Sequence, residues 1–267
     1  MAKKVFIGVG HGGSDPGAVK YVKEADANLT IALELKRLLE AAGVIVGISR
    51  TKDEDDPLTE EIREANAFKP DFAIDVHNNA AGGDGFEALV QTNQYAKDSR
   101  HAAECIEKHV KAIGQNSRGI KTRLNSQGND WYGFNRQVNA PAIIVEGFFV
   151  DNAKDAADFD TAAEQKKLAA AYAKGILEHL GVDDNEKPAA GNTIEIKLPV
   201  LTRGMTGKTV GSLQALLIGH GYSVGRSGVD NSFGPDTGAA VRQYQEDHGL
   251  AVDESVGPDT WASLMGI

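Results

Sequence analysis

The sequence predicts an α/β domain with a mostly parallel central sheet flanked by helices, followed by a small all-α domain. Three observations predict it. Over residues 1–181, short apolar runs alternate with segments whose apolar residues recur at helical spacing, the strand–helix–strand order of a parallel sheet. The alternation then stops in a polar, Pro- and Gly-bearing stretch, "GVDDNEKPAAGNT", which reads as a linker over residues 182–195. Residues 196–267 carry an internal near-repeat, "VDNSFGPDTGAAV" from Val229 and "VDESVGPDTWASL" from Val252, offset by 23 residues.

The elements follow in order. "KVFIGV" is a first strand, and Ala27–Ala42 is the first helix: Ile31, Leu35, Leu38, Leu39 and Ala42 form one apolar stripe, and Gly43 is placed to end it. "VIVGIS" is a strand, Pro57–Phe68 a helix, "FAIDV" a strand, Tyr95–Ile113 a helix, "AIIV" a strand and Thr161–Leu180 a helix. Glu146 ends the last strand run, with "GFF" expected to turn away after it. In the tail, "TVGSLQALLIGHG" has helical spacing. Both copies of Gly-Pro-Asp-Thr start a helix, with proline suited to its first position and aspartate to the positive end of its dipole. Three short helices are therefore expected.

Charge and composition exclude several classes of function. The formal charge is −10; residues 1–185 hold 22 basic against 29 acidic side chains, and residues 188–267 hold 5 against 8. Neither part offers the basic stripe that nucleic acid or an anionic lipid surface requires. No run of about 18 apolar residues is present, and the apolar stretch before His11 is too short for a signal-peptide core. A soluble protein made without an export signal and with no integral membrane segment is expected. The single cysteine, Cys105, lies in a helical pattern and is expected to be a buried thiol.

In open α/β sheets ligands bind outside the carboxyl ends of the strands. His11 follows the first strand, His77 ends "FAIDVH", Glu146 ends "AIIVE", and Glu24 lies just before the first long helix. Two imidazoles and a carboxylate are a ligand set that zinc accepts, with the fourth position left to water. Spacing alone leaves other readings open for the glycine-rich turn around His11: a phosphate cradle or a satisfied structural histidine. His101, His109, His179, His220 and His248 have no partner ligands nearby in sequence.

Four ordered motifs narrow the choice. "GHGGSDPGA", "KEADANL", "DVHNNA" with "GFEALV", and "PAIIVEGFFVDN" resemble the zinc-dependent N-acetylmuramoyl-L-alanine amidases of bacterial autolysins and phage endolysins, over residues 3 to about 181. The resemblance implies Zn2+ held by His11, Glu24 and His77, with Glu146 catalytic. It implies hydrolysis of the amide joining N-acetylmuramic acid to L-alanine in peptidoglycan, by a protein released from the cytoplasm as an endolysin or secreted as an autolysin. A zinc peptidase cutting within the stem peptide and a non-catalytic wall-binding protein are the alternatives.

Asp75 stands where the family is expected to have a serine or another small residue; a carboxylate there could bond a ligand histidine, or equally cap or pair elsewhere. Glu87 recurs in the family, near the site. The tail, with Leu213, Gln214, Gly221, Tyr222, Gly234, Pro235, Thr237, Ala240, Val241 and Gln245, is similar to the three-helix peptidoglycan-binding module. Asn231 stands where that module usually has glycine.

Overall fold

Six strands form one sheet in the order β2-β1-β3-β6-β4-β5: β1 (Lys4–Val9), β2 (Ile45–Ile48), β3 (Phe72–Asn79), β4 (Phe86–Val90), β5 (Ser117–Lys121) and β6 (Ala142–Phe149). In this computed structural model residues 2–183 and 198–265 are described. From residue 184 to residue 195 the expected linker lies outside the described residues. The chain divides into two compact units, Met1–Gly191 and Asn192–Ile267.

All pairings are parallel except β4 with β6, which run antiparallel. The central strands β1, β3 and β6 are buried along almost their whole length, because helices cover both faces; hence their nearly continuous apolar runs. On one face, α1 (Glu24–Ala41), α3 (Ala96–Ala112) and α6 (Ala162–Leu180) join the sheet in the larger core, which includes Ile31, Leu35, Val76, Ile106, Val145 and Tyr172. On the other, α2 (Leu58–Phe68) and the short α4 (Gly133–Gln137) cover a smaller core of Phe6, Ile62, Ala65, Phe134 and Ile144. Cys105 is buried in α3, as expected.

Differences from the sequence reading concentrate around β6. The strand continues past Glu146 to Phe149 instead of turning at "GFF". Phe148 and Phe149 are buried, Phe148 stacked on Phe159 at 5.3 Å, so packing carries the strand on. Between His77 and Asn79 on β3, β6 has one extra residue, a bulge that re-aims side chains beside the strand ends. The sequence pattern also missed β4, β5, α4 and α5 (Ala153–Ala157), each five residues long and too short for a period to register. Helix α1 starts at Glu24, three residues earlier than its apolar stripe suggests.

The second unit holds the three expected helices, α7 (Lys208–Gly219), α8 (Pro235–Asp247) and α9 (Pro258–Met265), around Leu213, Phe233, Val241, Tyr244 and Trp261. The sequence repeat is a structural repeat. Gln214 of α7 accepts from the backbone amides of Asp230 and Asn231 and donates to Asp230 Oδ1, the Ser232 carbonyl and Thr237 Oγ1. Gln245 of α8 does the same with Asp253, Glu254, Ser255 and Thr260. Asn231 and Glu254 occupy equivalent left-handed positions, at φ 62° and 56°. That is a conformation glycine adopts freely and asparagine tolerates, which accounts for the departure at Asn231.

Each glutamine thus satisfies a loop that the small core cannot cover. Gln245→Ala should destabilise the second unit by about 2–4 kcal/mol, since it strands buried amides. Urea unfolding in a Trp131→Phe background, where Trp261 is the remaining tryptophan of the two, measures it; a loss under about 0.5 kcal/mol refutes the clamp.

Candidate metal centre and active site

His11 follows β1 in a left-handed backbone conformation, φ 63°, unusual outside glycine and costly unless the surroundings enforce it. Its Nε2 is 3.2 Å from Glu24 Oε1. His77 lies on β3, with Nδ1 3.3 Å from the same oxygen. Glu24, the first residue of α1, is buried and also accepts from the backbone amides of Asn78 (3.3 Å, at Oε1) and Ala18 (3.0 Å, at Oε2). One ligand atom from each of His11, Glu24 and His77 lies within 4.8 Å of the others. Gly10 makes the close approach possible: a Cβ there would be 2.1 Å from the His77 ring.

The two imidazoles are oriented from behind. His11 Nδ1 is 2.9 Å from Asp15 Oδ2, and His77 Nε2 is 3.4 Å from Asp75 Oδ2. Each therefore has a carboxylate at the ring nitrogen that points away from Glu24, the arrangement that fixes tautomer and ring angle at metal-binding histidines. Sequence reasoning singled out Asp75 but missed Asp15, whose place four residues after His11 was the available signal.

The electrostatics separate the carboxylates. Burial raises the pKa of Glu24, but hydrogen bonds from His11 and His77 outweigh it, and Glu24 is held far below the ordinary range. The hydrogen bond to Glu24 raises His11. Burial opposes charge on His77, yet Asp75, Glu24 and Glu146 around it raise its pKa well above normal. Carboxylates around both imidazoles thus favour positive charge at the centre of the cluster, and two imidazole nitrogens with one carboxylate are a donor set that fits a divalent zinc-like cation.

Glu146 is the register partner of His77 on β3 and of Glu87 on β4, so it flanks the metal centre. Burial, reinforced by Glu24, Asp75 and Glu87, pushes its pKa up to about 7. Glu87 is ion-paired to Arg118 and Lys121 of β5. These two cations were not legible in the sequence, because β5 was not.

A cavity of about 560 Å³ opens beside the centre, lined by His11, Asp75, His77, Glu146, Asp55, Asp56, Glu61, Tyr132 and Phe134 among others. Glu61 of α2 is 4% exposed and Asp75 2%. Their oxygens Oε1 and Oδ1, both without a partner, approach the bare face of Gly8, where a Cβ would be 1.8 and 2.9 Å from them. Burial and the neighbouring Asp75 raise the Glu61 pKa well above normal. Nothing in the sequence distinguished Glu61 from a solvated helix charge. His101, His109, His179, His220 and His248 lie outside the centre among the described residues, as expected.

Residues 5–178 match the family model for N-acetylmuramoyl-L-alanine amidase. The chain belongs to the N-acetylmuramoyl-L-alanine amidase family. Residues 206–264 match the putative peptidoglycan binding domain. Relatives include the amidase CwlM of Bacillus licheniformis, 32% identical over 185 residues, 68% of this chain and 70% of that protein. The endolysin of Bacillus phage SPP1 is 32% identical over 214 residues, 72% of this chain and 75% of that one. Among solved structures, the catalytic domain of the amidase CwlV from Bacillus (Paenibacillus) polymyxa var. colistinus superimposes with a TM-score of 0.60 at 28% identity, covering 68% of this chain and 99% of that one. No helix of the described residues is long and apolar enough to cross a membrane.

If Asp75 orients His77, Asp75→Asn should weaken zinc binding about 10- to 100-fold while leaving the fold intact. Competition with a chromogenic chelator measures it, with circular dichroism as control; unchanged affinity refutes that role.

Proposed function

We propose that this chain is a zinc-dependent amidase that hydrolyses the bond between the lactyl carbonyl of N-acetylmuramic acid and the amino group of L-alanine in peptidoglycan. The observation that carries the proposal is the placement of Glu146 in register with His77, beside a Glu24 oxygen shared by two histidines. Family membership and the names of the relatives support peptidoglycan amidase activity; the donor set supports zinc.

His11, Glu24 and His77 would hold the ion. Bound there, zinc would supply Lewis acidity toward the amide carbonyl and lower the pKa of a water. Glu146 takes a proton from the attacking water at its carboxylate, while the water oxygen forms the new bond to the carbonyl carbon. As the C–N bond breaks, Glu146 returns that proton to the nitrogen, which leaves as a free amine. A carboxylate raised toward neutrality by burial is matched to both halves of this exchange. Asp15 and Asp75 hold the imidazoles in the tautomers that leave His11 Nε2 and His77 Nδ1 open to the cation.

We further assign residues 1–181 to catalysis and residues 196–267 to wall binding, joined by the linker over residues 182–195. The family match of residues 206–264 supports the second assignment. A chain ending at Asp183 should cleave small soluble muropeptides about as fast as the full chain and co-sediment less with intact sacculi; equal sedimentation overturns the assignment.

Glu146→Gln should keep one equivalent of zinc, whereas His77→Ala should lose it. The glutamine variant should lose about 10²- to 10⁴-fold in rate. The base must be deprotonated to act, so kcat/KM of the wild type should fall as pH drops through the interval between the ordinary 4.5 and about 7. The glutamine variant should lack that limb. Mass spectrometry of digested wall should show new L-alanine amines. New amines on other stem residues would favour a peptidase, and no product at all a binding protein; zinc loss in Glu146→Gln would make it a ligand.

A further inference from the structure

The active-site face is electrostatically two-sided. The cavity on the α2 side is lined by Asp15, Asp55, Asp56, Glu61 and Asp75 besides Glu146, with no lysine or arginine. On the opposite side of Glu146, β4 presents Glu87, and β5 presents Arg118 and Lys121. Two cations meet one carboxylate there, leaving one positive charge in excess.

The arginine is also preorganised. Glu87 is buried and receives Arg118 through Nε and Lys121 Nζ at 2.6 Å, both at Oε1; Asn79 Nδ2 lies 3.4 Å from its other oxygen. The Arg118 guanidinium stacks over the Phe149 ring at 5.3 Å. Stacked on one face and bonded at Nε, the guanidinium is held in place, and it still carries the terminal N–H donors with which arginine receives a carboxylate. The side chains of Arg118 and Lys121 remain 43% and 39% exposed. Neutralising Glu87 takes one cation; two, one of them aimed, are more than that task needs.

Glu87 and Glu146 are direct cross-strand neighbours, so a guanidinium bonded to Glu87 lies roughly one strand spacing and one hydrogen bond, about 8 Å, from the proton-transfer carboxylate. From the nitrogen of the bond being cut, an extended peptide reaches the α-carboxylate of its second residue in about 7 Å. We propose that Arg118, assisted by Lys121, is an anion subsite for the free α-carboxylate of the second stem-peptide residue, so that the peptide runs across β6 and β4 toward β5. The acidic cavity repels the same group and leaves the neutral sugar to the α2 side, beside Tyr132. This inference rests on the amidase reading and adds the substrate's direction and a preference for an unamidated second residue.

The test compares two soluble muropeptides that differ only there, one with the α-carboxylate and one with the carboxamide. The wild type should favour the carboxylate about tenfold or more in kcat/KM, with the preference shrinking as salt rises. Arg118→Gln should raise KM for the carboxylate substrate about tenfold more than for the carboxamide substrate, so that the preference between them is lost, with Lys121→Gln giving a smaller effect of the same kind. Equal handling of both substrates by the wild type, or an equal slowing of both in Arg118→Gln, overturns the proposal. If the wild type cuts neither, the amidase reading fails, and calorimetric binding of the same pair to the wild-type chain still decides the subsite: a preference for the carboxylate supports it, and equal Kd values end it.

Discussion

One oxygen organises the carboxyl edge of the sheet. Glu24 Oε1 lies within 3.3 Å of His11 Nε2, His77 Nδ1 and the Asn78 amide, groups from a turn, a strand and a strand end that no local rule would bring together. It can do so because α1 is anchored one turn further on. Asn28, in helical register with Glu24, donates from Nδ2 to the Gly10 carbonyl and accepts from Asn78 at Oδ1. Arg50, buried, donates to the carbonyls of Val9, Gly10 and Ala25. The Gly10 carbonyl thus ties strand, helix and the β2 side to the backbone that carries His11. A displacement of α1 by one ångström would cost all of these bonds at once, and so the site is as rigid as the core beneath it.

That rigidity lets one sheet edge maintain carboxylates in opposite states. Glu24, at the start of α1, is surrounded by imidazoles and amides that favour its charge and remains ionised; Glu146, on β6, faces burial and other acids and is pushed to about 7. Two side chains of the same type are thus set apart by environment alone, the general pattern by which paired carboxylates divide roles. The bulge in β6 directly after Glu146 shifts the register with β3 at the same strand end.

The legible part of this molecule was the part written in long periods. The stripe of Ile31, Leu35 and Leu39 and the apolar runs of β1, β3 and β6 put His11, His77 and Glu146 at one edge, and the structure brings them there with Glu24. The assignment of roles came from motif resemblance, since spacing alone left a phosphate turn open. Illegible were the five-residue elements, among them β5, and with them Arg118 and Lys121; so was Glu61, whose burial depends on Gly8 being bare beneath it. Such features are set by which strand neighbours which, and sequence order does not show that β6 separates β3 from β4.

The two units also show where the chain tolerates unfavourable chemistry. Buried side-chain oxygens without a partner among the described residues belong to Asp56, Glu61, Asp75, Asn78, Asp84, Asn135 and Tyr172, all in the first unit. Three of these residues line the cavity beside the metal centre and one follows His77. In the second unit the corresponding buried amides, Gln214 and Gln245, have both ends engaged. A small three-helix unit has too little core to tolerate an orphaned polar group and must satisfy each one. The larger α/β unit, with cores on both faces of its sheet, can carry such groups, and three of them lie in the cavity wall beside His77 and Glu146. The orphaned oxygens among the described residues therefore gather in the first unit, several of them around the cavity, while the second satisfies the buried amides of its repeat.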